Sequence, residues 1–175
     1  MSQYQSKIKN TQTESGFTLI ELILYIALIT IILSSLVPFA WNTVETGVKS
    51  SVQQEVNANA RYISERIKYE IRNATGINSV ATTSISLATS TPATNPTVID
   101  LSGGNIRVKQ GVGSAISINS ANSIINSLTF TNYTSGDNKT KHIGFIMTVA
   151  ASFAAARQEY QDSMVVESSA ELRSN

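Results

Sequence analysis

Between Phe17 and Trp41 the chain is a run of apolar residues, mostly Leu, Ile, Ala and Val, with one charged side chain, Glu21. No other stretch constrains the molecule as strongly. Residues 17–36 alone are long enough, at about 1.5 Å per residue, to cross a hydrocarbon core of about 30 Å as a helix. A single membrane pass is therefore expected here. A carboxylate near the middle of such a span costs about 2.5 to 3.5 kcal/mol on insertion scales, so an acid in this setting is read first as a functional group. Glu21 lies only a turn from the start of the run, where the headgroups are within reach and the positive end of the helix favours an anion.

Residues 1–16 are polar, carry Lys7 and Lys9, and end in Ser15-Gly16. They read as a leader that takes no part in the fold. The two lysines hold this end in the cytoplasm, and the chain beyond the span is exported. A secretory signal peptide would need a shorter apolar region and a small-x-small cleavage site. Around Ala40, the nearest approach to such a site, Pro38 stands where a small residue belongs. Pro38 also lacks the N–H that would reach the Ser34 carbonyl, so a kink or local loosening is expected there. Ser34 and Ser35 are placed to bond freed backbone groups. Equally, Pro38 can simply mark the end of the membrane segment.

Beyond Trp41, an interfacial type of aromatic, the pattern stays helical to about Ala74. Val56, Ala60, Ile63, Ile67, Ile71 and Ala74 recur at spacings of three and four, which places them on one face. Arg61, Glu65, Lys68 and Arg72 fall on the other side at ion-pairing distances. Val44, Val48 and Val52 drift around the helix, so packing is expected from Val56 onward and exposure before it. Asn73 and Gly76 supply a stop, with Gly76 suited to a left-handed position after the last turn.

From Ile77 the composition turns to Ser, Thr, Asn, Val and Ile, and the period changes to two. Residues 97–101 and 105–109 flank Ser102-Gly103-Gly104 and read as a β-hairpin. Residues 115–118, 127–132 and 164–169 are further strands. Ile143, Phe145, Met147, Val149, Ala151 and Phe153 alternate and give one buried face. Residues 89–97, with Pro92 and Pro96, form a loop, and residues 134–140 a turn. An antiparallel sheet with one apolar face needs a cover, and the stripe on the helix is the long amphipathic element able to provide it. The fold class is thus α+β, one long N-terminal helix whose second half packs on an antiparallel sheet. The chain divides into a leader (1–16), a membrane half of the helix (17–41), an exported half (42–75) and a β-rich domain (76–175).

Chemistry is sparse. The chain has no cysteine, which removes disulfides and thiolate metal sites, and its one histidine, His142, reads as a strand-edge or loop residue. No motif for a nucleophile, a zinc-binding helix or a phosphate loop is present, and Gly111-Val112-Gly113 is turn chemistry. Asp137 and Asn138 lack a spaced second acid, so no metal and no cofactor is expected. Only 14% of residues are charged and the net charge is +1, which gives no reason to expect bound nucleic acid.

Gly16-Phe17-Thr18-Leu19-Ile20-Glu21-Leu22 resembles the class III leader and N-terminal methylation motif of type IV prepilins and type II secretion pseudopilins. The resemblance implies cleavage by prepilin peptidase after Gly16, N-methylation of Phe17, and pairing of Glu21 with a neighbouring subunit's N-terminus during assembly. It also implies the same helix-on-sheet architecture, a non-enzymatic structural role, and a proline such as Pro38 in a helix segment that can loosen in the filament. The partners implied are other pilin or pseudopilin subunits, the inner-membrane assembly platform and membrane lipid. Residence would be in the prokaryotic cytoplasmic membrane and then in an extracellular or periplasmic filament. Residues 60–74 and 169–173 are similar to J-type and W-type minor subunits. The alternative is an uncleaved, signal-anchored surface protein displaying a β-rich binding or adhesin domain.

Overall fold

The computed structural model describes residues 16–137, 139–153 and 157–173. The predicted leader therefore lies outside the described residues except for Gly16, as does Asn138. Two compact units meet between Thr43 and Val44.

Helix α1 (Leu19–Asn73) begins in the first unit and ends in the second. Within it, an 18-residue window has a mean hydropathy of 2.5 and no buried residue, so the helix is long and apolar enough to cross a membrane once. α1 is unbroken through Pro38. The hydroxyls of Ser34 and Ser35 donate to the carbonyls of Ile31 and Ile32 at 2.8 and 2.9 Å. They serve acceptors three residues back, not the Ser34 carbonyl that Pro38 leaves without an amide partner.

The second unit is α+β. Its strands are β1 (Gly76–Ala81), β2 (Ser84–Ala88), β3 (Thr97–Ser102), β4 (Asn105–Gln110), β5 (Ile116–Ser117), β6 (Ser123–Asn132), β7 (His142–Ala151) and β8 (Ser163–Glu171). They form two antiparallel sheets, β1-β2-β3-β4-β5 and β6-β7-β8, with every strand beside its neighbour in sequence. Backbone bonds join the sheets: the Ile125 amide donates to Gly104 and the Phe130 amide to Thr82, at 2.9 and 2.8 Å.

The packing stripe on α1 is as the spacing predicts: Val56, Ala60, Ile63, Ile67, Ile71 and Ala74 are all at most 1% exposed. They join a single core with Ile85, Leu87, Ile99 and Ile106 of the first sheet and Leu128, Phe130, Ile143, Phe145, Met147 and Val149 of the second. Burial begins one turn earlier than expected. Val52 is buried because it stands four residues before Val56 on the same face, while Val44 stays exposed. On the far side Lys68 pairs with Glu65. The hydrogen bond from Lys68 is the main cause holding the Glu65 carboxyl below its ordinary value, with the charges of Arg72 and Arg61 adding to it.

The end of α1 differs from the glycine-capped stop that the sequence suggested. Gly76 has no positive φ and opens β1. The Ala74 amide turns back to Ile71 at 3.2 Å, and the Thr75 amide and hydroxyl both donate to the Ala88 carbonyl at 2.8 and 3.2 Å. The last turn is thus terminated by the sheet, which removes the need for a left-handed residue.

Gly103 and Gly104, with φ of 58° and 75°, make the two-residue corner between Ser102 and Asn105. Positive φ at both positions is what a hairpin twisted in the sense of its strands requires. Gly111 is tighter: its φ is 54°, and a Cβ there would lie 2.3 Å from the Ala93 carbonyl oxygen. Gly111→Ala is therefore expected to cost about 1 to 3 kcal/mol, seen as a lower urea midpoint. An unchanged midpoint would show that the loop yields freely.

Other strands depart from the simple pattern. β5 is shorter than the expected 115–118 strand, and both its residues are exposed. β6 begins at Ser123, four residues before the predicted start, because a register irregularity between Ile125 and Ser127 resets the alternation. β7 ends at Ala151, so Phe153 falls beyond it, where its ring packs 5.8 Å from that of Tyr160. β1 and β2 turn at Thr82-Thr83, a corner with no glycine to announce it.

Candidate functional site

The chemistry expected from the sequence gathers at the start of α1. Thr18 precedes the helix and caps it: its carbonyl accepts from the Leu22 amide at 3.1 Å, and its hydroxyl oxygen accepts from the Glu21 amide at 3.3 Å. The first of these is the opening bond of the helix ladder, and the second satisfies one of the amide groups that a helix leaves without partners at its first turn. Glu21 is thereby placed in the first turn, where the aligned peptide dipoles favour a negative charge.

The carboxylate of Glu21 is half-exposed. It accepts one long hydrogen bond from the Tyr25 hydroxyl, 3.4 Å away on the next turn. Among the described residues it has no cationic partner. The Phe17 ring meets that of Tyr25 edge-on at 6.0 Å and is itself 74% exposed. Phe17, Glu21 and Tyr25 thus share one side of the helix start. Gly16 stands before it with open space around its Cα. Pro38 lies further along α1 and takes no part in this group.

Sequence reasoning reached Gly16, Phe17 and Glu21 and missed Thr18 and Tyr25. Both had a signal. Thr18 and Glu21 stand three apart, the spacing of a helix capping box, and Tyr25 follows Glu21 at the four-residue spacing of facing side chains.

A second set of polar groups holds the C-terminal part of α1 to the sheets. Glu70, at 4% exposure, receives an ion pair from Arg66 and a 3.4 Å hydrogen bond from the Gln110 side-chain Nε2. The Arg66 guanidinium also lies 5.5 Å from the Tyr69 ring centroid. Nearer the start of this unit, the Ser120 amide donates to Asn59 and its hydroxyl to Glu55, at 3.0 and 2.9 Å. These side chains fasten elements together, and of the Arg66 guanidinium the buried Nε is left without a hydrogen-bond partner. Beside Glu70 a polar cavity of about 430 Å³ is lined by Arg72, Thr89, Thr91 and Arg173 among others. Among the described residues no cluster of three or more His, Asp or Glu side chains is placed to hold a metal ion. His142 opens β7, its ring 6.2 Å from that of Tyr133. Asp137 bonds Ser135 and the Lys139 amide within its own turn, which keeps its carboxyl below the usual range.

Compared with known protein families, with curated proteins and with solved structures, the chain matches none. The class defined by fold and site is therefore an α+β chain with one N-terminal helix compatible with a single-pass membrane anchor.

Proposed function

We propose that the chain is a non-enzymatic structural subunit of a type IV pilus-like or type II secretion-like filament, with the features of a minor subunit. In this reading it enters the membrane as a precursor with its N-terminus in the cytoplasm. Prepilin peptidase cuts after Gly16, and Phe17 becomes a methylated N-terminus. The subunit then passes from lipid into a bundle of equivalent helices at the assembly platform.

The observation that carries this reading is Glu21: a half-exposed carboxylate in the first turn of a membrane-length helix, four residues past Phe17, with no cation beside it among the described residues. An anion near hydrocarbon is stabilised by a counter-charge. A positively charged N-terminus on an adjacent copy, freed by cleavage before Phe17, has the right sign. The transfer exchanges helix–lipid contact for helix–helix contact, so no large apolar area has to be newly hidden from water and modest machinery suffices to drive it.

Mass spectrometry of the protein extracted from membranes tests the reading. The expected mature N-terminus is methylated Phe17. An intact Met1, or a cut near Ala40, would instead support an anchored or secreted binding domain and overturn the filament assignment.

A further inference from the structure

The three-stranded sheet has one edge with no strand beside it among the described residues. β6 is tied to the first sheet, β7 is central, and β8 pairs with β7 along one side only. That pairing runs from Ser163 to Glu171 without a register shift. The other side of β8 is a row of backbone donors and acceptors nine residues long. Edge strands are ordinarily made short, bulged, interrupted by proline, guarded by charge, lysine above all, or covered. β8 is long, regular and free of proline and lysine, and its only charges are two glutamates, Glu167 and Glu171.

The side chains show which kind of segment would fit. Val166, Ser168 and Ala170 stand opposite the buried Met147, Phe145 and Ile143, so Val165, Glu167, Ser169 and Glu171 belong to the outer face. Val165 is 64% exposed, and Ile146, directly across from Glu167, is 44% exposed. Glu167 and Glu171 are exposed, lie four residues apart on that face, and form no ion pair among the described residues.

We propose that β8 is an acceptor edge for an extended segment of a partner chain that carries two basic side chains four residues apart. The backbone edge demands an extended occupant, because only a strand satisfies alternating N–H and C=O groups along its length. The two acids select its charge. A strand has a two-residue period, so side chains opposite Glu167 and Glu171 must themselves be four apart. The residue opposite Val165 is apolar: two places before the first base if the added strand runs parallel to β8, two places after the last if it runs antiparallel. A second copy of β8 fits poorly, since pairing two such strands gathers four carboxylates along one seam. This edge is separate from the Glu21 site, and its test does not depend on the filament assignment.

The test uses the full chain in detergent micelles and a blocked nine-residue peptide. The peptide has threonine at its odd positions and valine, lysine, threonine and lysine at its even ones. The expected result is binding with slowed amide exchange confined to β8 and its near neighbours. The double variant Glu167→Lys, Glu171→Lys is expected to bind this peptide about tenfold more weakly. It is expected instead to gain binding of the peptide in which glutamate replaces both lysines. Unchanged β8 exchange at saturating peptide, or affinity indifferent to the charge swap, would overturn the proposal. So would a dimer of the chain alone, protected at β8.

Discussion

Phe145→Ala is expected to lower the unfolding free energy of the β-rich unit by about 3 to 5 kcal/mol, the range for truncating a buried aromatic. Phe145 is 1% exposed in the middle of β7 and its ring lies 6.3 Å from that of Phe130 on the paired strand. The deletion leaves a void where the helix stripe and the second sheet share one core. Close-packed surroundings relax only partly into such a void, so the loss exceeds the transfer energy of the ring alone. A natural domain is stable by only about 5 to 15 kcal/mol, so the variant stands close to unfolding at ordinary temperature. Urea titration of the detergent-solubilised full chain, followed by circular dichroism in the strand region, measures it. Val112→Ala, at a fully exposed turn, provides the contrast and is expected to shift stability by no more than about 0.5 kcal/mol. A loss below about 1 kcal/mol for Phe145→Ala would mean that the ring is not part of a packed core.

Under the proposed filament assignment, Glu21→Ala is expected to leave membrane insertion and leader removal intact while reducing entry into sheared filaments about tenfold or more. A charge-assisted hydrogen bond contributes about 1.5 to 3 kcal/mol, and each 1.4 kcal/mol is a factor of ten in an equilibrium. Removing the acid eases insertion, because a carboxylate near hydrocarbon is unfavourable. The helix keeps its start, since the Thr18 hydroxyl caps it through the backbone amide at position 21 and not through the carboxylate. Glu21→Gln separates charge from shape: it preserves the acceptor for Tyr25 but not the anion, and is expected to behave like the alanine variant. Filament fractions probed with an antibody to the β-rich unit give the measurement, and the membrane fraction gives the level of processed precursor. Normal incorporation of either variant would remove Glu21 from assembly.

Phe145 and Glu21 were visible in the sequence to different degrees. Phe145 was placed in the core by strict alternation along β7, and Glu21 was singled out by being the one charge in an apolar run. The local geometry that holds Glu21 in place was encoded at spacings of three and four, as Thr18 and Tyr25 show. Among the described residues no cation stands beside it. The polar groups fastening α1 were hidden for a different reason. Glu70 sits on a helix rich in charges, and only the approach of Gln110 from β4, with Arg66 folded over it, makes it a buried residue.

By itself the sequence determined the elements whose signals are local. These are a helix able to cross a membrane, its stripe from Val56 to Ala74, the hairpin turning at Gly103 and Gly104, and the buried face of β7. Each arises from periodicity or from a backbone angle that one residue type supplies. Tertiary structure alone decided how α1 stops, since the acceptor that ends it belongs to Ala88. It also decided where β6 changes face, through a shift in register against β7, and how the strands divide into two sheets. Those outcomes depend on which backbone groups and side chains meet across long sequence separations. No window along the chain contains both partners.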